Sequence, residues 1–142
     1  MSLPPLLILL PAARASLAAV VLAAGAVPVI DLTLDEEATI PPGAGVRVRP
    51  DQAAPGDGWV IVAGEGAAPV GRQALIERAQ PGPAPEGFVG VILRGREAAG
   101  VGADVDGFAL LLAHGPGAIL DAGLGPDTAA AAVAIGAAGV VV

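Results

Sequence analysis

The chain reads as an α/β protein built from parallel strand–helix repeats, with about six strands and four helices. Three observations carry that reading. Short, unbroken apolar runs are bounded by glycine and proline, as strands buried on both faces require. Alanine- and leucine-rich segments with helical spacing lie between several of them. Two segments also echo one another: "SLAAVVLAAGAVPVI" and "TAAAAVAIGAAGVVV" share the order helix, glycine, alanine, strand. Alternation of this kind places a chain in the α/β class.

Taken in order, "LLILL" (residues 6–10) predicts a first buried strand, flanked by prolines. "ARASLAAVVLAAGA" follows, with Leu17, Val20, Val21 and Ala24 at helical spacing and Gly25 placed as a C-terminal cap. "VPVIDL" (residues 27–32) is the second strand, so the first three elements form a right-handed parallel unit. "GVRVRP" (residues 45–50) alternates and is read as a short strand with Arg47 and Arg49 on one face. "GWVIVAGEG" is a clearer buried strand, and "GRQALIERA" (residues 71–79) reads as a short helix. "IPPGAG", "PDQAAPGDG" and "QPGPAPEG" between them are turns or loops. The chain is expected to form one domain over residues 1–142, with a possible hinge near 80–86. "FVGVILR" is then a strand, "DVDGFALLLAH" a helix with Asp104 near its start, and "AILDAG" a strand. "GPDTAAAAVAIGA" is a helix with Pro126 at its beginning and Gly136 near its end, and "GVVV" a last strand.

Composition narrows the chemistry. At 142 residues the chain can bury a core of roughly 68–70% of its unfolded surface. Trp59, Phe88 and Phe108 are the only aromatics, so Ala, Val and Leu must fill that core. The formal charge is −7 and all seven basic residues are arginine. Without lysine there is no Schiff base and no P-loop lysine. Without grouped cations along the sequence, nucleic acid is not an expected partner. No cysteine is present, and the single histidine, His114, cannot build a metal cluster alone. His114 is expected at the end of a helix, where a cation is favoured. The acidic run Asp35–Glu36–Glu37 is read as a solvated turn or helix start. The first residues carry an "ARA-S" that resembles a signal-peptidase site, but no basic residue precedes it and prolines break the apolar run. A buried strand is the preferred reading there, and no stretch reaches the ~18 apolar residues of a membrane helix. A cytoplasmic chain is expected.

Parallel α/β proteins hold ligands beyond the C-terminal ends of their strands. Three such ends stand out: "DLTLDEE", "RGREAAG" and "DAGLGPD". In the last, Gly123 and Gly125 precede a helix whose first N–H groups lack internal partners, a geometry that can hold a phosphate. The same residues also suit a plain turn in which Asp127 or Thr128 caps the helix.

"GFVGVILRGREAAG" followed by "AILDAGLGPDTAAAAVAIGAAGVVV" resembles the nitronate monooxygenase (2-nitropropane dioxygenase-like) flavoproteins, FMN-binding TIM barrels that include enoyl reductases of polyketide and polyunsaturated fatty-acid synthases. Gly95, Glu97, Ala98 and Gly100 match that family's glycine–x–glutamate–alanine–glycine–glycine strand end, with Ala99 at a usual glycine. Gly123 and Gly125 match its phosphate-side turn, and Gly136 to Val140 its next strand entry. Residues 4–32 and 86–142 carry the resemblance. It implies a TIM-barrel-like fold and, where intact, an FMN site formed by Gly95, Glu97, Gly100, Gly123 and Gly125. The family's usual histidine after the double glycine is replaced by Val101–Gly102–Ala103, so no catalytic residue is assigned. With residues 33–86 judged too short for the missing repeats, a truncated or shrunken barrel sheet is expected, and a barrel fragment would leave an open edge at "VVV". The first expectation is a non-catalytic structural or docking domain of a polyketide or fatty-acid synthase-type multienzyme, with no cofactor. The alternatives are an FMN-dependent enoyl reductase or monooxygenase, and a barrel fragment completed by self-association or another chain. No membrane, nucleic-acid or metal partner is expected.

Overall fold

A computed structural model describes residues 2–34, 37–96, 106–123 and 125–142. Eight parallel strands form a closed barrel in sequence order. They are β1 (Leu6–Pro11), β2 (Val27–Asp31), β3 (Gly45–Val48), β4 (Val60–Ala63), β5 (Ala74–Arg78), β6 (Gly90–Arg94), β7 (Ile119–Asp121) and β8 (Gly139–Val141). A 3-10 segment (Ala12–Leu17) runs into α1 (Ala18–Ala23) after β1. Helix α2 (Gly107–His114) precedes β7, and α3 (Pro126–Ala134) precedes β8.

Three expectations are corrected. The sheet has eight strands rather than six, and it has no open edge at its last strand. Strand β8 pairs with β7 through Leu120↔Val140 and with β1 through Leu7↔Val141. The reason lies in residues 33–86, which supply β3, β4 and β5 with hardly any helix. Their connections (residues 32–44, 49–59, 64–73 and 79–89) carry no helix among the described residues. The segment "GRQALIERA" contributes to this economy, because Ala74–Arg78 is strand β5 and not a helix. Its alternation decides the matter: Leu75 packs with one buried cluster and Ile76 with the other. A helix would have put these neighbours on one broad face; a strand sends them to opposite faces.

Loops that replace helices must still satisfy their backbone carbonyls. Side chains do this here. Arg72 donates through Nη1 to the Ala54 carbonyl (3.0 Å) and through Nη2 to that of Gly58 (2.7 Å). Gln52 Nε2 donates to the Leu32 carbonyl at 2.7 Å, and its Oε1 accepts from the Arg49 N–H at 3.0 Å. The 80–86 stretch is fastened likewise: Arg78 Nη1 donates to the Pro83 carbonyl (3.2 Å), and His114 Nε2 lies 3.0 Å from the Gly82 carbonyl. His114 is the last residue of α2, as expected.

Two separate cores result. Outside the barrel, Val46, Val48, Val60, Val62 and Ile76 pack beneath loops and helices. Inside it, Leu7, Val29, Ile61, Leu75, Ile92, Ile119 and Val141 form one layer, a side chain from each of seven strands. Leu3 and Trp59 pack beneath them at the strands' N-terminal end. Gly90 makes room for this plug, since a Cβ there would lie 2.9 Å from a Leu3 methyl. The remaining elements match the sequence reading. Gly25 ends the first helical segment at φ +82°. The start of α2 is capped by Asp106, whose carboxylate accepts from the N–H groups of Phe108 (3.0 Å) and Ala109 (3.2 Å). Asp104 lies outside the described residues.

Candidate functional site

Strand period 2 means that the residue two places after a lumen-facing one also faces the lumen. Above Val29, Leu75, Ile92 and Ile119 this brings in Asp31, Glu77, Arg94 and Asp121. Arg47 joins them two places beyond Gly45 on β3. The C-terminal mouth of the barrel is therefore charged, drawing one residue each from β2, β3, β5, β6 and β7.

These five side chains are paired with one another. Arg47 Nε and Nη2 donate to Glu77 Oε1 and Oε2 at 2.7 and 2.8 Å, a two-pronged match of guanidinium to carboxylate. Its Nη1 reaches Asp31 Oδ2 at 3.1 Å and Thr33 Oγ1 at 3.3 Å. Thr33 in turn donates its N–H and hydroxyl to Asp31 Oδ1, at 3.0 and 2.7 Å. Arg94 bridges the other side, with Nη1 3.4 Å from Glu77 Oε2 and Nε 3.2 Å from Asp121 Oδ2. The result is a continuous chain of ion pairs across the barrel end, with Arg47, Glu77, Arg94 and Asp121 all buried.

Three carboxylates share two guanidinium groups, and the shifts follow from that. Burial alone would lower the pKa of Arg47. Its hydrogen bond to Glu77 and the fields of Glu77 and Asp31 together outweigh burial and hold the guanidinium above its ordinary value. Asp121 shifts upward: burial is the main cause, Arg94 opposes it, and Glu77 adds to it. Asp121 is thus less at ease as an anion than a carboxyl group in water.

The glycine residues expected to form a cofactor rim fall beside this network. Gly95 follows β6 and donates its N–H to the Asp121 carbonyl at 2.9 Å, so the ends of β6 and β7 are neighbours. Gly123 follows β7 with φ +60°. Glu97 and Gly100 lie outside the described residues, as do Asp35 and Glu36. Gly125 is the N-cap of α3.

The start of α3 offers fewer free donors than its glycines suggest. The Gly125 N–H is taken by Thr128 Oγ1 at 2.9 Å, and Pro126 at the first helical position has no N–H to offer. Asp127 places a carboxylate in the first turn, where it satisfies the helix dipole and repels a second anion. A Cβ at Gly125 would meet nothing within 4 Å, so no close approach requires glycine there. The capping alternative raised by the sequence, with Thr128 as the capping residue, is what these contacts show.

A cavity of about 570 Å³ opens over the other half of the mouth, above β2 to β6. Arg47, Arg49, Arg78 and Arg94 line it together with Asp31 and Glu77. Sequence reading paired Arg47 with Arg49 but missed the network. A signal was available: "VPVID", "GVRV", "ALIE", "GVILR" and "AILD" each carry a charge two places beyond a lumen residue, where an apolar strand has no reason to hold one. Among the described residues, no group of three His, Cys, Asp or Glu side chains is placed to hold a metal ion. No described helix is long and apolar enough to cross a membrane. No protein-family model, curated protein or solved structure matches this chain.

Proposed function

We propose that this chain is a non-catalytic barrel, a structural or docking module, and that it serves within a polyketide or fatty-acid synthase-type multienzyme. One observation carries the first part. The polar side chains described at the barrel mouth, where a working barrel keeps its acid, base or nucleophile, are spent on one another in the chain from Asp31 to Asp121. Glu77, buried and held by both guanidinium groups, has no open face for a substrate proton. The docking role draws support from the helices, whose outer sides expose Leu17, Val20, Leu22, Leu112, Val133 and Ile135. The assembly is taken from the resemblance to flavoprotein barrels of such multienzymes.

The test is a titration of the purified protein with FMN, followed by flavin absorbance and fluorescence. A colourless preparation with no saturable flavin signal is the expected result. A yellow protein that takes up one FMN per chain and oxidises a nicotinamide cofactor would overturn the reading in favour of an FMN-dependent reductase or monooxygenase.

A further inference from the structure

Four seams between neighbouring strands lie along the helical arc of the barrel, from β6 round to β2. Three of them carry a helix. Helix α2 packs on β6 and β7, α3 packs on β8 in the crossover from β7, and the 3-10 segment with α1 packs on β1 and β2. The β8–β1 seam carries none among the described residues. Its outward side chains on β1, Leu6 and Ile8, are only half-buried. Packed helices lie about 8–10 Å apart, so α3 and α1, on the seams either side, leave a trough one helix wide.

The walls of that trough are apolar. The 3-10 segment and α1 expose Leu17, Leu22 and, at 66%, Val20; α3 exposes Ile135 and, at 54%, Val133. Charge is scarce on this face. Among the described residues, the exposed acids Glu37, Asp51, Asp57, Glu65 and Glu86 all belong to the loop-clad arc. Asp127 is the exception, and the exposed Arg14 stands on the opposite wall with the opposite sign. Two chains of net charge −7 repel one another on most approaches. Along this face they meet without like charges opposed. Its two charges also stand at one height: Arg14 lies just past the end of β1 and Asp127 just past that of β7, so both sit at the mouth end.

We infer that two copies of this chain pair through the α3–α1 face, with α1 of each copy filling the β8–β1 trough of the other. A ridge beside a trough on one face is self-complementary, as a two-fold contact requires. The helices then stand in a row: α3, the partner's α1, α1, the partner's α3. With the two-fold axis along the barrels the mouth ends stay together, and Arg14 comes beside the partner's Asp127. Four helices about 10 Å wide and roughly 14–20 Å tall cover about 600–800 Å² of each copy, close to the ~800 Å² per partner of a stable interface. The inference rests on the docking part of the function proposed above and names what docks; it does not rest on the absence of flavin chemistry.

The experiment is sedimentation velocity of the whole chain from micromolar to millimolar concentration, with amide chemical shifts followed on dilution. A dimer is expected, with the dilution shifts centred on Leu17, Val20, Val133 and Ile135. Val20→Glu places a carboxylate in the contact and should raise the dimer dissociation constant at least tenfold. Val70→Glu adds the same charge at a fully exposed position of the loop-clad arc and should leave that constant unchanged. Arg14→Glu should also weaken the dimer, and Arg14→Glu/Asp127→Arg should recover most of the loss. Should circular dichroism show that Asp127→Arg loosens α3, the Val20 and Val70 variants and the shift map decide. A chain that stays monomeric throughout would overturn the inference. So would a dimer whose shifts map to the loops, a folded Val20→Glu variant that pairs as the unaltered chain does, or a folded charge-swapped variant that recovers nothing. A monomer whose α1 and α3 amides shift with phosphatidylcholine vesicles would assign the face to a lipid surface, again against pairing. A colourless monomer sinks this inference alone, and a dimer that turns over FMN sinks the non-catalytic reading alone.

Discussion

Replacing Arg47 by methionine should cost about 3–5 kcal/mol of stability, measured by urea unfolding, because it strands the buried Glu77 carboxylate against a single remaining guanidinium. An unchanged midpoint would mean that the network is a decoration and not a brace. Asp121 provides a test with a defined sign. Its pKa in the fold lies above the unfolded value, so the fold holds that proton more tightly than the open chain does. The resulting stabilisation is complete below the unfolded carboxyl range, near pH ~3.9, and is lost as pH rises through the folded pKa. Asp121→Asn fixes the neutral form. Its melting temperature relative to the unaltered chain should therefore improve from acid to neutral pH; a gap that turns against the variant as pH rises contradicts the assignment. At this scale the sequence was half legible. Five charges ending five apolar runs are visible in the letters, but that they meet depends on closure of the sheet, which no local window contains.

Among the elements, those with caps were the easiest to read. Asp106 at the start of α2 satisfies two N–H groups, so Asp106→Ala should cost about 0.5–2 kcal/mol in a thermal or urea melt. Gly25, Pro126 and Gly136 mark ends that the structure retains. Strand β5 was misread because Arg72, Gln73, Ala74, Leu75, Glu77 and Arg78 are all compatible with a helix by propensity. Tertiary pairing overrode that preference: Leu75 and Ile76 find partners in β4 and β6 that a lone helix would not supply. The join between β8 and β1 gives a sharper element-scale prediction. A Cβ at Gly139 would collide with the Pro4 carbonyl oxygen, where the first and last strands meet. Gly139→Ala should destabilise by about 1–3 kcal/mol through that forced shift, read as a lowered unfolding midpoint.

Closure is a property of the whole molecule, and it makes the fold all-or-none. Strand β1 must pair with β8 across nearly the full length of the chain, so the ring has no partial form that still buries its lumen. Trp59 fluorescence, which reports the plug at one barrel end, and far-UV circular dichroism should therefore unfold along one curve. Two separated transitions would show that one arc of the ring stands without the other. The α/β class and parallel pairing were readable from alternating runs, whereas the strand number was not. That count depends on accepting crossovers without helices, and the usual association of parallel strands with helices argues the other way. The same bare crossovers divide the outer surface into two kinds of cover. From β6 round to β2 the barrel is clad in helices, whose amides hold their own hydrogen bonds; from β2 to β6 it is clad in loops, with proline in every connection. Deuterium from solvent should consequently enter the described loops of the second arc before the helices of the first, and a protease added to the folded protein should nick those loops before it cuts the helices. The barrel would then wear from one side, like a cask with hoops on half its staves.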